Sequence, residues 1–404
     1  MKYLVLLGDG MADYKNDALG GKTPLDVANK PYIDSLAKKG IMGTVKTVPD
    51  SLKPGSDVAN LSVMGYNPEK YYTGRSPLEA ASMGVKLLPT DITFRCNLVT
   101  LSSEAVYEDK TMLDYSAGEI TTAESAEIIK SIATAFNTNE IEFHSGISYR
   151  HLMVWHGAEM DFDLTPPHDI SGKKVAEHMP GGKYADIIGG LMKKSVEILK
   201  DHPINKSRIE RGLNPATSIW IWGEGTAPAI DSFYEKNGVR GSVVSAVDLV
   251  KGIGVCGGLN VPEVEGVTGT LNTNYEGKVE AVINEFKNGS DFVYLHFEGP
   301  DECGHQGDVK GKVTAIERID KLALKPILEA FKKMGEDYAI LIMPDHPTPL
   351  SVRTHTRDAV PFVLYRSTDE KNNPDYVYTE ERAEATGVKV AHGYELISML
   401  LGKK

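Results

Sequence analysis

Short, nearly unbroken apolar runs alternate with stretches of helical spacing along this chain. Four of these runs read as buried strands, at residues 3–7, 291–297, 338–343 and 360–364. Helical spacing occupies residues 276–287, 310–334 and 393–402. Nearly continuous apolar strands are typical of a sheet that is covered on both faces. Their alternation with helices predicts an α/β fold with a largely parallel sheet.

The middle of the chain has a different pattern. Its strand candidates are 93–99, 151–155 and 217–222, its helix candidates are 122–136 and 184–200, and its loops are rich in Pro, Gly and His. We interpret this region as a second, α+β domain inserted into the first. A length of 404 residues is enough for two to three domains. The predicted bounds are 1–87 and 229–404 for the α/β domain and 88–228 for the insertion.

Charge and cysteine content narrow the class of protein. The 44 Lys and Arg residues against 56 Asp and Glu give a net charge of −12, which argues against binding to nucleic acid or to anionic membranes. The three cysteines are far apart and form no Cys-x-x-Cys pair, as expected in a reducing compartment. The first apolar run reaches Asp9 too soon for a signal peptide, and no run approaches the roughly 20 residues that span a bilayer. We therefore expect a cytoplasmic protein, whose oligomeric state the sequence leaves open.

Acidic and imidazole side chains lie next to the ends of these predicted strands. They are Asp9, Asp301, His305, Asp345, His346 and His355. Ligands of open parallel sheets bind at the carboxyl ends of the strands, so we expect the groups that follow three of the strands to meet along one edge. Three Asp and three His form a mixed oxygen and nitrogen set that suits Mn²⁺ or Zn²⁺.

The spacing of these residues along the chain predicts which side chains point the same way. Asp301 and His305 are four residues apart, so one helical turn would place both on the same face. Asp345 and His346 are adjacent, and we expect their side chains to diverge toward two neighbouring ions. Taken singly, each Asp is also explained as a turn or cap residue, and each His as a surface residue.

Ser56 follows Pro54-Gly55, which force a turn, and stands where a helix should begin. Exposed N–H groups at a helix start favour an anion. On this segment alone Ser56 is explained as a helix N-cap, whereas beside a divalent ion its hydroxyl would be an activated nucleophile. The chain has no Gly-x-Ser-x-Gly elbow, no Walker A sequence and no complete Rossmann fingerprint.

Taken together, these residues resemble the alkaline phosphatase superfamily and, more narrowly, the archaeal-type cofactor-independent phosphoglycerate mutases. The resemblance covers nearly the whole chain. Its segments are GDGMAD, PGSDVANLSVMGYNP, YYTGRSPLEAAS, FRCNLVT, SYRHLMVW, TPPHDI, WIWGEGTAP, DLVKGIG, DECGH, MPDHPTP and THTRDAVPF. It implies an alkaline-phosphatase-like, doubly wound sheet with an inserted α+β domain. It also implies interconversion of 3-phosphoglycerate and 2-phosphoglycerate in glycolysis and gluconeogenesis.

The resemblance also implies roles for the site residues. Ser56 would be the nucleophile that is transiently phosphorylated. One metal ion would be held by Asp9, Ser56, Asp345 and His346, and a second by Asp301, His305 and His355. We expect two divalent ions, Mn²⁺ in the first place, with Mg²⁺, Zn²⁺ or Co²⁺ as alternatives. The expected partner is a small phosphorylated substrate.

The substrate carries a carboxylate and a phosphate, both of which arginine binds bidentately. The candidates are Arg150 and His151, followed by Arg95, Arg211 and Lys251. Arg150 and Lys251 are also catalytic candidates beside Ser56. Arg95 could instead form a structural ion pair, and Lys251 could instead cap a helix C-terminus.

Two alternative functions use the same metal and serine groups. One is a homoserine kinase-like phosphotransferase, as proposed for some bacterial relatives, with a different phosphoryl donor and acceptor. The other is a metal-dependent phosphatase, which needs an open path for water. The long insertion, about 140 residues against usual loop lengths, argues against an open phosphatase site.

Overall fold

A computed structural model describes residues 1–403. Its strands are β1 Lys2–Gly8, β2 Ile41–Val45, β3 Asp91–Leu101, β4 Met112–Asp114, β5 Ile141–Ile147, β6 Arg150–His156, β7 Phe162–Asp163, β8 Gly181–Gly182, β9 Ser218–Thr226, β10 Gly241–Val244, β11 Phe292–Phe297, β12 Tyr338–Met343, β13 Val360–Arg366 and β14 Lys389–Val390. All seven predicted strands are confirmed, with ends that differ by a few residues.

The helices follow the predicted pattern and add short ones. They are α1 Pro24–Val27, α2 Pro31–Lys39, α3 Ser56–Val63, α4 Pro68–Tyr71, α5 Ser76–Ser82, α6 Thr122–Phe136, α7 Ala185–Lys200, α8 Pro203–Glu210, α9 Phe233–Asn237, α10 Asp248–Cys256, α11 Tyr275–Lys287, α12 Gly299–Gln306, α13 Val309–Arg318, α14 Lys325–Met334, α15 Glu380–Ala385 and α16 Leu396–Leu401. The predicted helix 310–334 is divided, because the π-helical segment Ile319–Leu324 separates α13 from α14. Over residues 1–403, no helix combines the length and the apolar character needed to cross a lipid bilayer.

The described chain divides into two compact units. The first comprises Met1–Tyr72 together with the described residues from Ala229 onward, and the second is Thr73–Pro228. The second unit thus begins before the predicted boundary at residue 88. The reason is α5, whose Ser76 hydroxyl donates to the Thr93 carbonyl of β3 at 3.0 Å, so that this helix packs with the second unit.

The first unit is built on a seven-stranded sheet with the order β10-β11-β1-β12-β13-β2-β14. The strands β10, β11, β1 and β12 run parallel, β2 and β14 form a further parallel pair, and β13 is antiparallel to both of its neighbours. Leu6 of β1 lies opposite Leu295 on one side and Ile342 on the other, all three fully buried. The predicted α/β fold with a largely parallel sheet is confirmed, and β1, β11 and β12 end at the same edge.

The second unit contains an antiparallel sheet with the order β4-β3-β6-β5, and β9 pairs with β3. The long strand β3 lies between β6 and β9, where Cys96 faces His151 on one side and Ile221 on the other. Its apolar core includes Phe94 of β3 and Ile128 of α6. Trp220 and Trp222 of β9 are buried in this core, as their spacing of two on a strand predicts.

Candidate active site

The shared edge of β1, β11 and β12 gathers acidic and imidazole groups. Asp9 comes directly after β1, α12 follows β11 after one residue, and Asp345 with His346 follows β12. Asp9, Asp345 and His346 are fully buried. In parallel strands the carboxyl ends point the same way, which is why residues nearly 340 positions apart lie side by side.

A first group that could hold a metal ion consists of Asp9, Asp345 and His346. Nε2 of His346 lies 3.6 Å from Oδ1 of Asp9 and 3.3 Å from Oδ2 of Asp345. The expectation that Asp345 and His346 diverge is therefore wrong. The Asp345 carboxylate turns back because its Oδ1 accepts the N–H of His346 at 2.9 Å and that of Gly10 at 3.1 Å.

A second group lies beside the first. One turn of α12 places Asp301 and His305 on the same face, with Nε2 of His305 3.2 Å from Oδ2 of Asp301. Nε2 of His355 lies 3.4 Å from Oδ1 of Asp301 and 3.0 Å from Nε2 of His305. Asp301, His346 and His355 also form a set that could hold an ion, so His346 borders both groups.

Ser56 is the first residue of α3, after the N-cap Gly55. Its hydroxyl therefore does not cap the helix. Instead Oγ lies 3.0 Å from Nε2 of His346, beside both groups of candidate ligands.

Two polar residues absent from the sequence prediction complete the site. Asn60 donates its side-chain N–H groups to Oδ2 of Asp345 at 2.8 Å and to the carbonyl of Ser56 at 2.9 Å, and it accepts the hydroxyl of Tyr294 at 2.7 Å. The hydroxyl of Thr348 donates to Oδ1 of Asp301. The helical spacing of four between Ser56 and Asn60 is a signal that the sequence contains.

The hydroxyl of Thr348 also determines which ring nitrogen of His346 carries the hydrogen. Oγ1 of Thr348 lies 3.3 Å from Nδ1 of His346, and its hydrogen is already donated to Asp301. Thr348 can then only accept from Nδ1–H, which leaves a lone pair on Nε2. That lone pair faces the hydroxyl of Ser56 and is available to a cation.

Gly10 is required by close packing at the centre of the site. Its φ is +60°, and a Cβ there would lie 2.5 Å from Oγ1 of Thr348 and 2.6 Å from Oδ1 of Asp301. Both the left-handed backbone and the contact exclude a larger side chain. The loop after β1 can thus approach α12 closely enough for Asp9 to join the site.

The electrostatics of the cluster call for a cation. Burial, reinforced by the charges of Asp345 and Asp301, raises the pKa of Asp9 well above its usual value. Oδ1 of Asp9 is buried and has no hydrogen-bond partner. Three buried carboxylates, the adjacent imidazole nitrogens and an orphaned oxygen fit divalent ions, which would offset the repulsion and fill the vacant bonding position.

Hydrogen bonds in the second group shift the pKa values of Asp301 and His305 in opposite directions. Burial raises the pKa of Asp301, but hydrogen bonds from His305 and His355 outweigh it and hold that pKa well below the usual value. The hydrogen bond to Asp301 raises the pKa of His305 to about 9. Asp301 is therefore ionised, as a metal ligand must be.

The second unit carries a cluster of arginines. Nε of Arg95 lies 3.0 Å from Glu79, and its guanidinium stacks 4.5 Å from the ring of Trp222. Nε of Arg75 lies 3.0 Å from the same carboxylate. Burial raises the pKa of Glu79, but the charges of Arg95, Arg75 and Arg150 reverse this and leave it below its usual value. Arg95 thus forms an ion pair and also belongs to a cluster in which positive charges outnumber negative ones.

The remaining predicted substrate residues are placed differently. His151 is 3% exposed, its Nδ1 accepts the N–H of Gly146 at 3.0 Å, and burial lowers its pKa to about 3, so its ring is neutral. Arg211 is half-exposed and pairs with Glu124, which also binds Arg208. His151 thus has no charge to attract an anion, and the charge of Arg211 is already paired with Glu124.

Lys251 of α10 lies in the first unit. Its Nζ is 3.4 Å from Oε2 of Glu263, a highly exposed partner, while its own side chain is only 14% exposed. It lies within the helix and does not cap the C-terminus.

Known proteins resemble this chain over its whole length. The sequence model of the 2,3-bisphosphoglycerate-independent phosphoglycerate mutase family matches residues 37–205. The chain is 50% identical over 403 residues to a probable 2,3-bisphosphoglycerate-independent phosphoglycerate mutase of Geobacter sulfurreducens, with 100% of both chains covered. It is 48% identical to the enzyme of that name from Methanosarcina barkeri, again over 100% of both chains.

Solved structures show the same fold. A protein of Pyrococcus horikoshii has a TM-score of 0.81 and 30% identity, covering 100% of this chain and 98% of that one. The cofactor-independent phosphoglycerate mutase of Thermoplasma acidophilum has a TM-score of 0.65 and 24% identity, covering 100% and 99%. Both comparisons extend over the two units described above.

Proposed function

The chain belongs to the family of 2,3-bisphosphoglycerate-independent phosphoglycerate mutases, and we propose that it interconverts 3-phosphoglycerate and 2-phosphoglycerate through a phosphoserine at Ser56. The resemblance found in the sequence is thus confirmed at the level of the family. As a member, the chain is an isomerase with a small phosphorylated substrate. The observation that most strongly supports Ser56 as the nucleophile is the position of its hydroxyl, which lies 3.0 Å from Nε2 of His346 and beside both ligand groups.

In the proposed reaction, Oγ of Ser56 attacks the phosphorus of 3-phosphoglycerate and the bond to the C3 oxygen breaks. The glycerate keeps a free 3-hydroxyl and turns, and its 2-hydroxyl then takes the phosphoryl group back from Ser56. Nε2 of His346 lies 3.0 Å from the serine hydroxyl and would give its lone pair to the ion, while Asn60 holds the carbonyl of Ser56 and the Asp345 carboxylate together. Placing Ser56 at the start of α3 adds the positive end of a helix dipole.

We propose that two divalent ions bind here, with Mn²⁺ in the first place. Asp9, Asp345 and His346, with Ser56, would hold one ion, and Asp301, His305 and His355 the other. When bound, such ions stabilise the charge on the attacking and leaving oxygens of a phosphoryl transfer. A mixed set of carboxylate and imidazole donors suits Mn²⁺, Zn²⁺ and Co²⁺ better than Mg²⁺, which prefers oxygen alone.

The arginines of the second unit are proposed to bind the substrate anion. Arg75, Arg95 and Arg150 carry three positive charges against one on Glu79, so the cluster has a surplus of two. Phosphoglycerate carries a carboxylate and a phosphate, which guanidinium groups bind bidentately. Lys251 is proposed to neutralise charge on the phosphoryl group, and His151 and Arg211 are assigned no contact with substrate.

Replacing Arg150 with alanine should raise KM for 3-phosphoglycerate about 10–100-fold with little change in kcat. The physical reason is the loss of a charge-assisted contact of about 1.5–3 kcal/mol that ground state and transition state share. Steady-state kinetics measure both constants. Arg211→Ala, in the same unit, is the matched control and should change KM less than about threefold. Equal effects of the two variants would contradict the assignment.

The function is tested by a coupled assay. Purified protein should convert 3-phosphoglycerate to 2-phosphoglycerate without added 2,3-bisphosphoglycerate, lose activity after chelation and regain it with Mn²⁺. Parallel reactions with ATP and homoserine, and with detection of free phosphate, address the kinase and phosphatase alternatives. Turnover confined to either parallel reaction would overturn the mutase assignment. The relatives from Geobacter sulfurreducens and Methanosarcina barkeri are both called mutases, and they give the homoserine kinase alternative no support.

A further inference from the structure

A row of polar side chains crosses the carboxyl ends of three adjacent strands. The strands are β10, β11 and β1, neighbours in that order, and their contributions are Ser245, His296 and Asp9. Ser245 follows β10 directly, His296 lies within β11, and Asp9 follows β1. His296 and Asp9 are fully buried and Ser245 is 4% exposed, so their polar atoms depend on partners inside the protein rather than on bulk water.

The hydrogen bonds of this row form one continuous chain. The N–H of Val247 donates to Oγ of Ser245 at 3.0 Å, and that Oγ lies 3.2 Å from Nδ1 of His296. Nε2 of His296 lies 2.9 Å from Oδ2 of Asp9. The other Asp9 oxygen, Oδ1, has no partner and belongs to the first ligand group.

When Asp9 is ionised, as a metal ligand must be, and the ring of His296 is uncharged, only one arrangement of protons satisfies the hydrogen bonds of this row. An ionised carboxylate only accepts, so Nε2 of His296 must carry the hydrogen that faces Asp9. Nδ1 is then an acceptor and takes the hydroxyl hydrogen of Ser245, whose oxygen accepts from Val247. The hydroxyl of Ser245 therefore selects the His296 tautomer whose Nε2–H can donate to the Asp9 carboxylate.

We propose that His296 is a positioning residue for the metal site, whose tautomer Ser245 selects and whose Nε2–H fixes Oδ2 of Asp9. This leaves Oδ1 as the single oxygen that Asp9 offers to a cation. The inference rests on the proposed metal use of the enzyme and deepens it, because it names the groups that orient one ligand. Partners that orient metal ligands typically contribute 10–100-fold to metal affinity.

Metal titration tests the proposal without reference to turnover. His296→Leu removes the donor and should weaken Mn²⁺ binding at the Asp9 site about 10–100-fold by calorimetry, whereas His296→Gln keeps an N–H donor and should stay within about threefold. Ser245→Ala should weaken binding and Ser245→Thr should restore it. Ser242→Ala is the matched control, since Ser242 of β10 is also buried but bonds to Glu285 and Ser290 instead.

A measurement on the unmodified chain guards against variants that fail to fold. In ¹⁵N-labelled protein, the His296 ring, identified by its loss in His296→Gln, should show a protonated Nε2 and an unprotonated Nδ1. A protonated Nδ1, or equal Mn²⁺ affinity in wild type, His296→Leu and Ser245→Ala, would overturn the proposal. Failure of the wild type to bind any divalent ion would count instead against the proposed metal use.

Discussion

Replacing Ser56 with alanine is expected to lower kcat for the mutase reaction by at least about 10³-fold. The physical reason is that the variant lacks the hydroxyl that receives the phosphoryl group in the proposed reaction, which lies 3.0 Å from Nε2 of His346. Stopped reactions with phosphate-labelled substrate should yield a labelled serine in the wild type and none in the variant. Mn²⁺ should still bind to the Asp and His ligands.

Ser62 provides the matched control for that experiment. It lies in the same helix α3 and is buried, and the proposed reaction gives it no role. Ser62→Ala should keep kcat within about threefold. If Ser56→Ala retained more than a tenth of wild-type turnover, the phosphoserine intermediate would have to be abandoned.

Replacing Lys312 with methionine is expected to reduce the free energy of unfolding by about 3–5 kcal/mol. Lys312 of α13 is fully buried, and its Nζ donates to Oδ2 of Asp13 at 2.7 Å and to the carbonyls of Thr348 at 2.8 Å and Ala12 at 3.3 Å. Methionine fills similar space but leaves the Asp13 charge buried without its cation. Chemical denaturation followed by circular dichroism measures the change.

Two further variants separate charge from packing. Lys310→Met lies on the same helix α13, where the side chain is exposed, and should change stability by less than about 0.5 kcal/mol. Adding Asp13→Asn to Lys312→Met removes the lone charge and should recover part of the loss. A loss below about 1 kcal/mol for Lys312→Met alone would show that the ion pair does not stabilise this corner of the fold.

Much of the fold could be predicted because periodicity is a local property. The apolar run 338–343 coincides with β12, and the spacing over 122–136 coincides with α6. The break of the predicted helix 310–334 at Ile319–Leu324 was missed, although Pro326 at the start of α14 lacks an N–H and is a signal that the sequence contains. The early start of the second unit at Thr73 depends on packing between α5 and β3, which no spacing rule describes.

Within the site, residues at strand ends could be predicted and supporting residues could not. Asp9 and Asp345 stand out because a charge follows an apolar run. His296 lies inside such a run and reads as part of a buried strand, although its ring contacts Asp9. The turn of Asp345 toward His346 depends on the N–H of Gly10, which belongs to a distant part of the sequence. Arg75 was missed because its pairing with Glu79, four residues on, looks like an ordinary helix-surface pair, and only the tertiary fold brings Arg95 of β3 to the same carboxylate.

The division of the first unit by the second bears on the order in which the chain folds as it leaves the ribosome. β1 is among the earliest residues made, yet its partners β11 and β12 begin at Phe292 and Tyr338. All of Thr73–Pro228 is synthesised first, and its sheet pairs only strands from within that span. Because domains generally fold as units during synthesis, the second unit can be folded before the strands that pair with β1 have been synthesised. The candidate ligands extend from Asp9 to His355, so this edge of the sheet cannot assemble until residue 355 has been made, well after the second unit.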